Sequence, residues 1–210
     1  ADLLVRLYDP QAGRITIGGT DIRELPLAEL RARVGYVPQD VFLFSETVAY
    51  NILFGQGGLP ASGEDAAPAA EARARELARY ASIDAEIDEF PRGYATRVGE
   101  RGVTLSGGQK QRISIARAFA KNAPILLVDD GLSAVDANTE QRILGNLDAF
   151  LRDRTALLIT HRVFSLLDVD RILVLDEGRI AEQGRHEELL AAGGLYAELY
   201  EKQKREERAA

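Results

Sequence analysis

Leu105-Ser106-Gly107-Gly108-Gln109 leads into a basic, amphipathic run from Lys110 to Ala120, and the apolar stretch Ile125-Leu126-Leu127-Val128 then ends in Asp129-Asp130. A Gly-rich turn that opens a helix leaves its first amides unpaired and aimed outward, and the helix dipole adds partial positive charge there. Such a terminus suits a phosphate. Along the helix Ile113, Ala116 and Ala120 share one stripe, with Lys110, Arg112 and Arg117 available elsewhere, and Asn122 and Pro124 stop it. Ile125 to Val128 reads as a short strand of the kind a parallel sheet buries on both faces. It delivers two carboxylates at its carboxyl end, where open α/β sheets bind their ligands.

The 210 residues suffice for one substantial domain, and 46% hydrophobic content is that of a globular protein. No run approaches the roughly 20 apolar residues of a membrane helix, and nothing at the start reads as a signal peptide. With no cysteine, neither a disulfide framework nor a Cys zinc site is possible. The net charge of -7 argues against a nucleic-acid surface, so a cytosolic domain without a nucleic-acid partner is expected.

Outward from the opening stretch, the elements alternate between strand and helix. Leu3, Leu4, Leu7 and Tyr8 recur at helical spacing with no capping residue ahead, which predicts that the chain begins inside a helix. Arg14 to Ile17 alternates as a strand, Gly18-Gly19 turns, Pro26 to Arg33 is a short helix, and Val34 to Val37 is an apolar strand ending at Pro38-Gln39-Asp40. Gly55 to Ala70 reads as a loop, Glu71 to Tyr80 and Ile83 to Phe90 as helices, and Asn138 to Leu151 as a helix with Ile143, Leu144, Leu147 and Phe150 inward. Thr155 to Thr160 is expected to be a buried strand, with His161 at its carboxyl end and a short helix over Arg162 to Leu167. A hairpin about Glu177-Gly178, a surface His186, a last helix with Leu195, Tyr196 and Leu199 inward, and a fraying tail from Lys202 complete the chain. No internal repeat and no second domain boundary is evident.

The Leu105 to Gln109 motif, the strand ending in acidic residues and the following Leu132-Ser133-Ala134-Val135-Asp136 resemble the nucleotide-binding domain of an ABC (ATP-binding cassette) exporter of the multidrug or lipid type. Val37-Pro-Gln-Asp-Val-Phe-Leu-Phe-Ser45, Asn51-Ile52 and Val98-Gly-Glu-Arg-Gly102 extend the resemblance over nearly the whole chain. It implies an α/β fold of the P-loop NTPase type, a mostly parallel sheet flanked by helices. Residues 1–40 and 110–210 would form the catalytic core, and residues 41–109 an inserted helical subdomain with the signature motif at its end.

The resemblance also assigns residues. Leu105, Ser106, Gly107, Gly108 and Gln109 would contact ATP held by a second nucleotide-binding domain in a head-to-tail dimer, and Ser133 and Asp136 would belong to the loop that crosses that interface. Asp129 would act on Mg2+, Gln39 would coordinate the same ion and position the water, and His161 would contact the γ-phosphate. Glu100 and the loop after Gln39 would face the coupling helices of a transmembrane domain, at the cytoplasmic face of the cell membrane.

Two departures stand out. The motif G-x-x-x-x-G-K-[ST], whose amides cradle the phosphates, occurs nowhere, so the chain is expected to be a fragment cut after that loop and inactive alone. Asp130 stands where active members of the family carry Glu as the base. Its carboxylate is set back by roughly 1 to 1.5 Å, a displacement that can cost about 100-fold in rate. This resembles heterodimeric exporters with one degenerate site; a homodimer served by Asp130 and a nearly non-hydrolysing regulatory subunit are the alternatives. A soluble ABC ATPase of DNA repair or translation would carry coiled coils or tandem cassettes, which are absent.

Overall fold

Short-range chemistry sets the first elements. Thr16–Ile17 (β1) and Thr20–Asp21 (β2) pair antiparallel across Gly18-Gly19, and Leu27–Ala32 (α1) starts at Pro26, whose fixed φ suits a helix start. Val34–Val37 (β3) follows, then Val48–Leu53 (α2), Ala66–Tyr80 (α3) and Asp84–Asp88 (α4). Gly107–Ala120 (α5), Ile125–Asp129 (β4), Ala137–Leu151 (α6) and Thr155–Ile159 (β5) complete the first part of the chain. The computed structural model describes residues 1–57, 66–99, 103–151, 153–163 and 169–209. Contacts divide the chain into two compact units, Ala1–Ile159 and Thr160–Ala210.

In the first unit β3, β4 and β5 form a parallel sheet in that order, with Val37 opposite Val128 and Asp129 opposite Ile159. Leu126, Leu127 and Val37 are buried in it, as a parallel sheet with apolar strands requires. Helix α5 lies against β3, and the approach is close: a Cβ on Gly35 would sit 3.1 Å from the Ala118 carbonyl oxygen. On its other sides α5 packs against α2 and α3, which makes it the centre of this unit's core. Among the described residues no helix is long and apolar enough to cross a membrane.

In the first unit three expectations are corrected. Ala1 to Tyr8 is a series of turns rather than a helix: Arg6 sits at φ 49°, and its guanidinium donates to the Ile22 and Leu25 carbonyls at 3.0 and 3.1 Å. Those bonds to the segment after β2 compete with helix continuation, and Leu3, Leu7 and Tyr8 stay exposed. Helix α3 starts at Ala66, inside the expected loop, because alanine favours helix and Pro68 falls in the first turn, where a missing N–H costs little. Strand β5 is largely exposed, not buried, with Leu157 39% accessible, because among the described residues it is the edge of the sheet and pairs with β4 alone.

The second unit is built on a hairpin, Ile172–Asp176 (β6) and Arg179–Gly184 (β7). Asp176 pairs with Arg179 across Glu177 and Gly178, which sit at φ 45° and 74°; positive φ at both positions gives the turn whose twist matches the strands. His186–Ala192 (α7) ends at Gly193 with φ 67°, and Leu195–Ala209 (α8) begins with its amides held by Glu182, which accepts from Leu195 N at 2.6 Å and Tyr196 N at 3.1 Å. The charged tail is helical through Ala209 rather than frayed. His186 is half-buried, not a plain surface residue: its Nδ1 lies 2.8 Å from the Tyr196 hydroxyl, and its ring meets Tyr200 edge-on. The helix expected over Arg162 to Leu167 falls largely on 164–168, outside the described residues.

Candidate functional site

The turn that opens α5 is a reciprocal cap. Ser106 Oγ accepts from Gln109 N at 3.2 Å while Gln109 Oε1 accepts from Ser106 N at 2.9 Å. The Gln109 amide is thus satisfied inside the chain, which narrows the expected set of outward amides to those of Gly107 and Gly108, which have no partner within the helix. Gly108 is required by a neighbour, since a Cβ there would lie 2.7 Å from the Ala134 carbonyl oxygen, and one on Gly107 would be tight at 3.3 Å from Ala134 Cβ. The signature turn and the segment after β4 are therefore brought into contact at Ala134. Leu105 is buried beneath the turn, and Ser106 and Gly107 are exposed.

Two of the three cations expected to be available on α5 are already used. Arg112 is only 7% exposed and donates to Ser82 O at 2.8 Å, to Gly108 O at 3.2 Å and to both carboxylate oxygens of Glu86. Arg117 donates to Asn51 O and Asn51 Oδ1, each at 2.8 Å, and to Phe42 O at 2.9 Å. Burial pulls its guanidinium down to about 10. Lys110 alone remains exposed. Periodicity identified the apolar stripe but carried no signal that α4 and α2 would supply partners for the cations.

Gln39, Asp129 and Asp130 stand at the carboxyl ends of the adjacent strands β3 and β4. Gln39 is exposed, and the two carboxylates are half-buried. Tyr36, two residues before Pro38 on β3, was not singled out by sequence and faces Asp129. Burial, the charge of Asp129 and that of Asp2, and a hydrogen bond with Asp129 raise its hydroxyl above the ordinary value. An amide oxygen and a carboxylate at one sheet end are the hard donors that Mg2+ takes alongside water and phosphate oxygens, so the residues present fit that ion.

Asp130 has φ 48° and donates from its amide to the Ile159 carbonyl at 2.7 Å. Its own carbonyl accepts from Ser133 N at 3.3 Å and Ser133 Oγ at 2.9 Å. Gln111, another residue not singled out by sequence, ties this turn to α5 by donating to Ser133 Oγ at 3.0 Å and accepting from Ala134 N at 2.9 Å. Asp136 caps α6, accepting from Thr139 N at 3.0 Å; that bond, joined by the Thr139 hydroxyl, holds its carboxyl below the ordinary range. His161, exposed, lies at the start of the second unit. Glu100 lies outside the described residues.

Comparison with known proteins places this geometry. The family model described as ABC transporter matches residues 1–133. An ATM1-type heavy metal exporter of Novosphingobium aromaticivorans is 49% identical over 203 residues, covering 97% of this chain and 32% of that protein. An ATP-dependent lipid A-core flippase of Methylococcus capsulatus is 48% identical over 198 residues, covering 94% of this chain and 31% of the relative. The solved structure of a bacterial Atm1-family ABC exporter with ATP bound superposes with a TM-score of 0.86 at 47% identity, covering 97% of this chain and 34% of that one. The chain thus spans about a quarter to a third of the length of the curated relatives it matches. With the parallel sheet, the capped Ser106 to Gln109 turn and the carboxylates after β4 all in place, the chain belongs to the ABC transporter family and has its mixed α/β, P-loop NTPase-like fold.

Proposed function

We propose that this chain is the ATP-binding and hydrolysing domain of an ABC exporter and works as one half of a head-to-tail dimer at the cytoplasmic face of a membrane. The observation that carries the reading is the capped signature turn, which holds Gly107 and Gly108 at the start of a 14-residue helix. Their amides, the Ser106 hydroxyl and the helix dipole together suit the phosphates of a nucleotide held by the partner domain. Leu105 anchors the turn from below. Ser133 and Asp136, tied to α5 and α6, keep the interface loop in register with it.

At the sheet end Asp129 and Gln39 would hold Mg2+, which neutralises charge on the β and γ phosphates when bound. Tyr36 orients Asp129. Asp130 would polarise the attacking water, with His161 on the γ-phosphate. The backbone of Asp130 is held on both sides, by Ile159 and by Ser133, so an advance to make up for the missing methylene would strain or break those bonds. That pinning supports a slow site in this chain, with its signature turn lent to a partner that carries Glu. Phe42, 67% exposed and edge-on to Phe44 in the loop after Gln39, supports a transmembrane domain docked there, together with the segment around Glu100.

The test is ATP turnover by the full-length exporter with Gly108→Ala in this chain, followed alongside its thermal unfolding. Turnover should fall at least about tenfold, since the new methyl meets the Ala134 carbonyl and displaces the turn. Unchanged turnover in a folded variant overturns the reading.

A further inference from the structure

We propose that Glu86 is a positioning residue for the signature turn, acting through the side-chain amide of Gln109. The inference rests on the functional reading above and deepens it. Glu86 lies in α4, 23 residues before Gln109, and neither composition nor periodicity marks it. Its Oε2 accepts from Gln109 Nε2 at 3.0 Å, while Gln109 Oε1 is the acceptor for Ser106 N at 2.9 Å. Both ends of the Gln109 amide are therefore engaged within the chain.

An amide has two faces that differ only by a half-turn. With Nε2 held by a carboxylate, the flipped orientation would set oxygen against oxygen, so the carboxylate selects the orientation that directs Oε1 at Ser106. Glu86 is itself fixed by Arg112, which grips both its oxygens and also reaches the Gly108 carbonyl and Ser82. Charge-assisted, two-pronged pairs of this kind are the stronger class of hydrogen bond. Arg112 is buried, so the pair is shielded from solvent on the cation's side.

The chain of contacts runs from α4 through Gln109 to the amide of Ser106, the residue that heads the nucleotide-facing turn. Gln109 then serves chiefly as a cap, and the contacts available to the partner's nucleotide are those of Ser106, Gly107 and Gly108. A loosened Gln109 frays the cap and weakens the grip on nucleotide, while the Asp129 and Asp130 end of the site is untouched.

The experiment is a double-mutant cycle in the full-length exporter, with Glu86→Gln, Gln109→Ala and the two combined, measuring KM for ATP, kcat and thermal unfolding. Each single variant should raise KM about threefold to tenfold with kcat within about twofold, and the double variant should be no worse than Gln109→Ala, because Glu86 then has nothing to act on. Thermal stability should fall further in the double variant than in Gln109→Ala, since Arg112 loses its counter-charge in either background. KM effects that add across the cycle overturn the proposal, leaving Glu86 a structural partner of Arg112 alone, as does a Glu86→Gln variant with wild-type KM. An exporter without ATP turnover in its unmodified form refutes the underlying functional reading instead.

Discussion

The amide of Asp130 donates to the carbonyl of Ile159, its neighbour across β4 and β5, at 2.7 Å. That bond is made at φ 48°, a left-handed conformation that Asp adopts more readily than most residues. The backbone there is set by the sheet, and the side chain's reach is set by its own length. Asp130→Glu should therefore raise single-turnover ATP hydrolysis at this site by about 100-fold, near 2.7 kcal/mol of barrier, at saturating Mg2+ with the phosphate-binding loop present. An equal rate would mean that Asp130 already serves as the base.

Asn51 is fully buried, and every polar atom of its side chain is matched: Oδ1 to Phe44 N and Arg117, Nδ2 to the Phe44 and Thr47 carbonyls. Asn51→Leu has similar volume but takes the acceptor from Phe44 N and one acceptor from the half-buried Arg117, and removes one donor each from the Phe44 and Thr47 carbonyls. Denaturant unfolding should show a loss of about 3 kcal/mol with an unchanged slope.

Gly55→Ala should be more damaging than its exposure suggests. The added Cβ would lie 1.9 Å from the Arg117 carbonyl oxygen, a backbone atom inside α5 that cannot swing aside. A cost of about 3 kcal/mol is expected by thermal unfolding, whereas the same change at Gly145, inside α6 with nothing within 4 Å, should stabilise by about 0.5 to 1 kcal/mol.

Acid should loosen the join between α4 and α5. Burial would raise the Glu86 carboxyl, but hydrogen bonds from Arg112 and Gln109 and the Arg112 charge, opposed by Asp136, leave it below its ordinary 4.5. A carboxyl depressed in the folded state stabilises above its unfolded value, and that contribution is lost as pH falls through the folded one. Stability should therefore decline below pH 4.5, and Glu86→Gln should flatten that limb in a pH series of thermal unfolding.

Local chemistry made much of the fold readable. Val34 to Val37 is a strand to the residue, the two-residue Glu177-Gly178 turn forms the hairpin, and α5 and α6 start and stop within a residue or so of their signals. The pattern Ser106-x-x-Gln109 is itself a capping-box signature, so the closure of Gln109 onto Ser106 is written in the sequence. What remained hidden depends on partners distant in sequence. Glu86 and Arg112 are 26 residues apart, Arg117 and Asn51 66 apart, and neither pairing has a local signal. The N-terminal turns carry no local signal for the same reason, since Arg6 takes its partners 16 and 19 residues away.

Helix α5 touches three things at once. Gln109 holds α4, Gln111 holds the turn that carries Asp130 and Ser133, and Arg117 holds Phe42 in the loop after Gln39. Its 14 residues make a rod about 21 Å long whose internal spacing is fixed by backbone hydrogen bonds. A force applied at Phe42 therefore cannot be absorbed along that rod as a soft deformation. It is passed on as a tilt or a shift of the whole helix, which carries the displacement to the Ser106 to Gly108 turn at the other end.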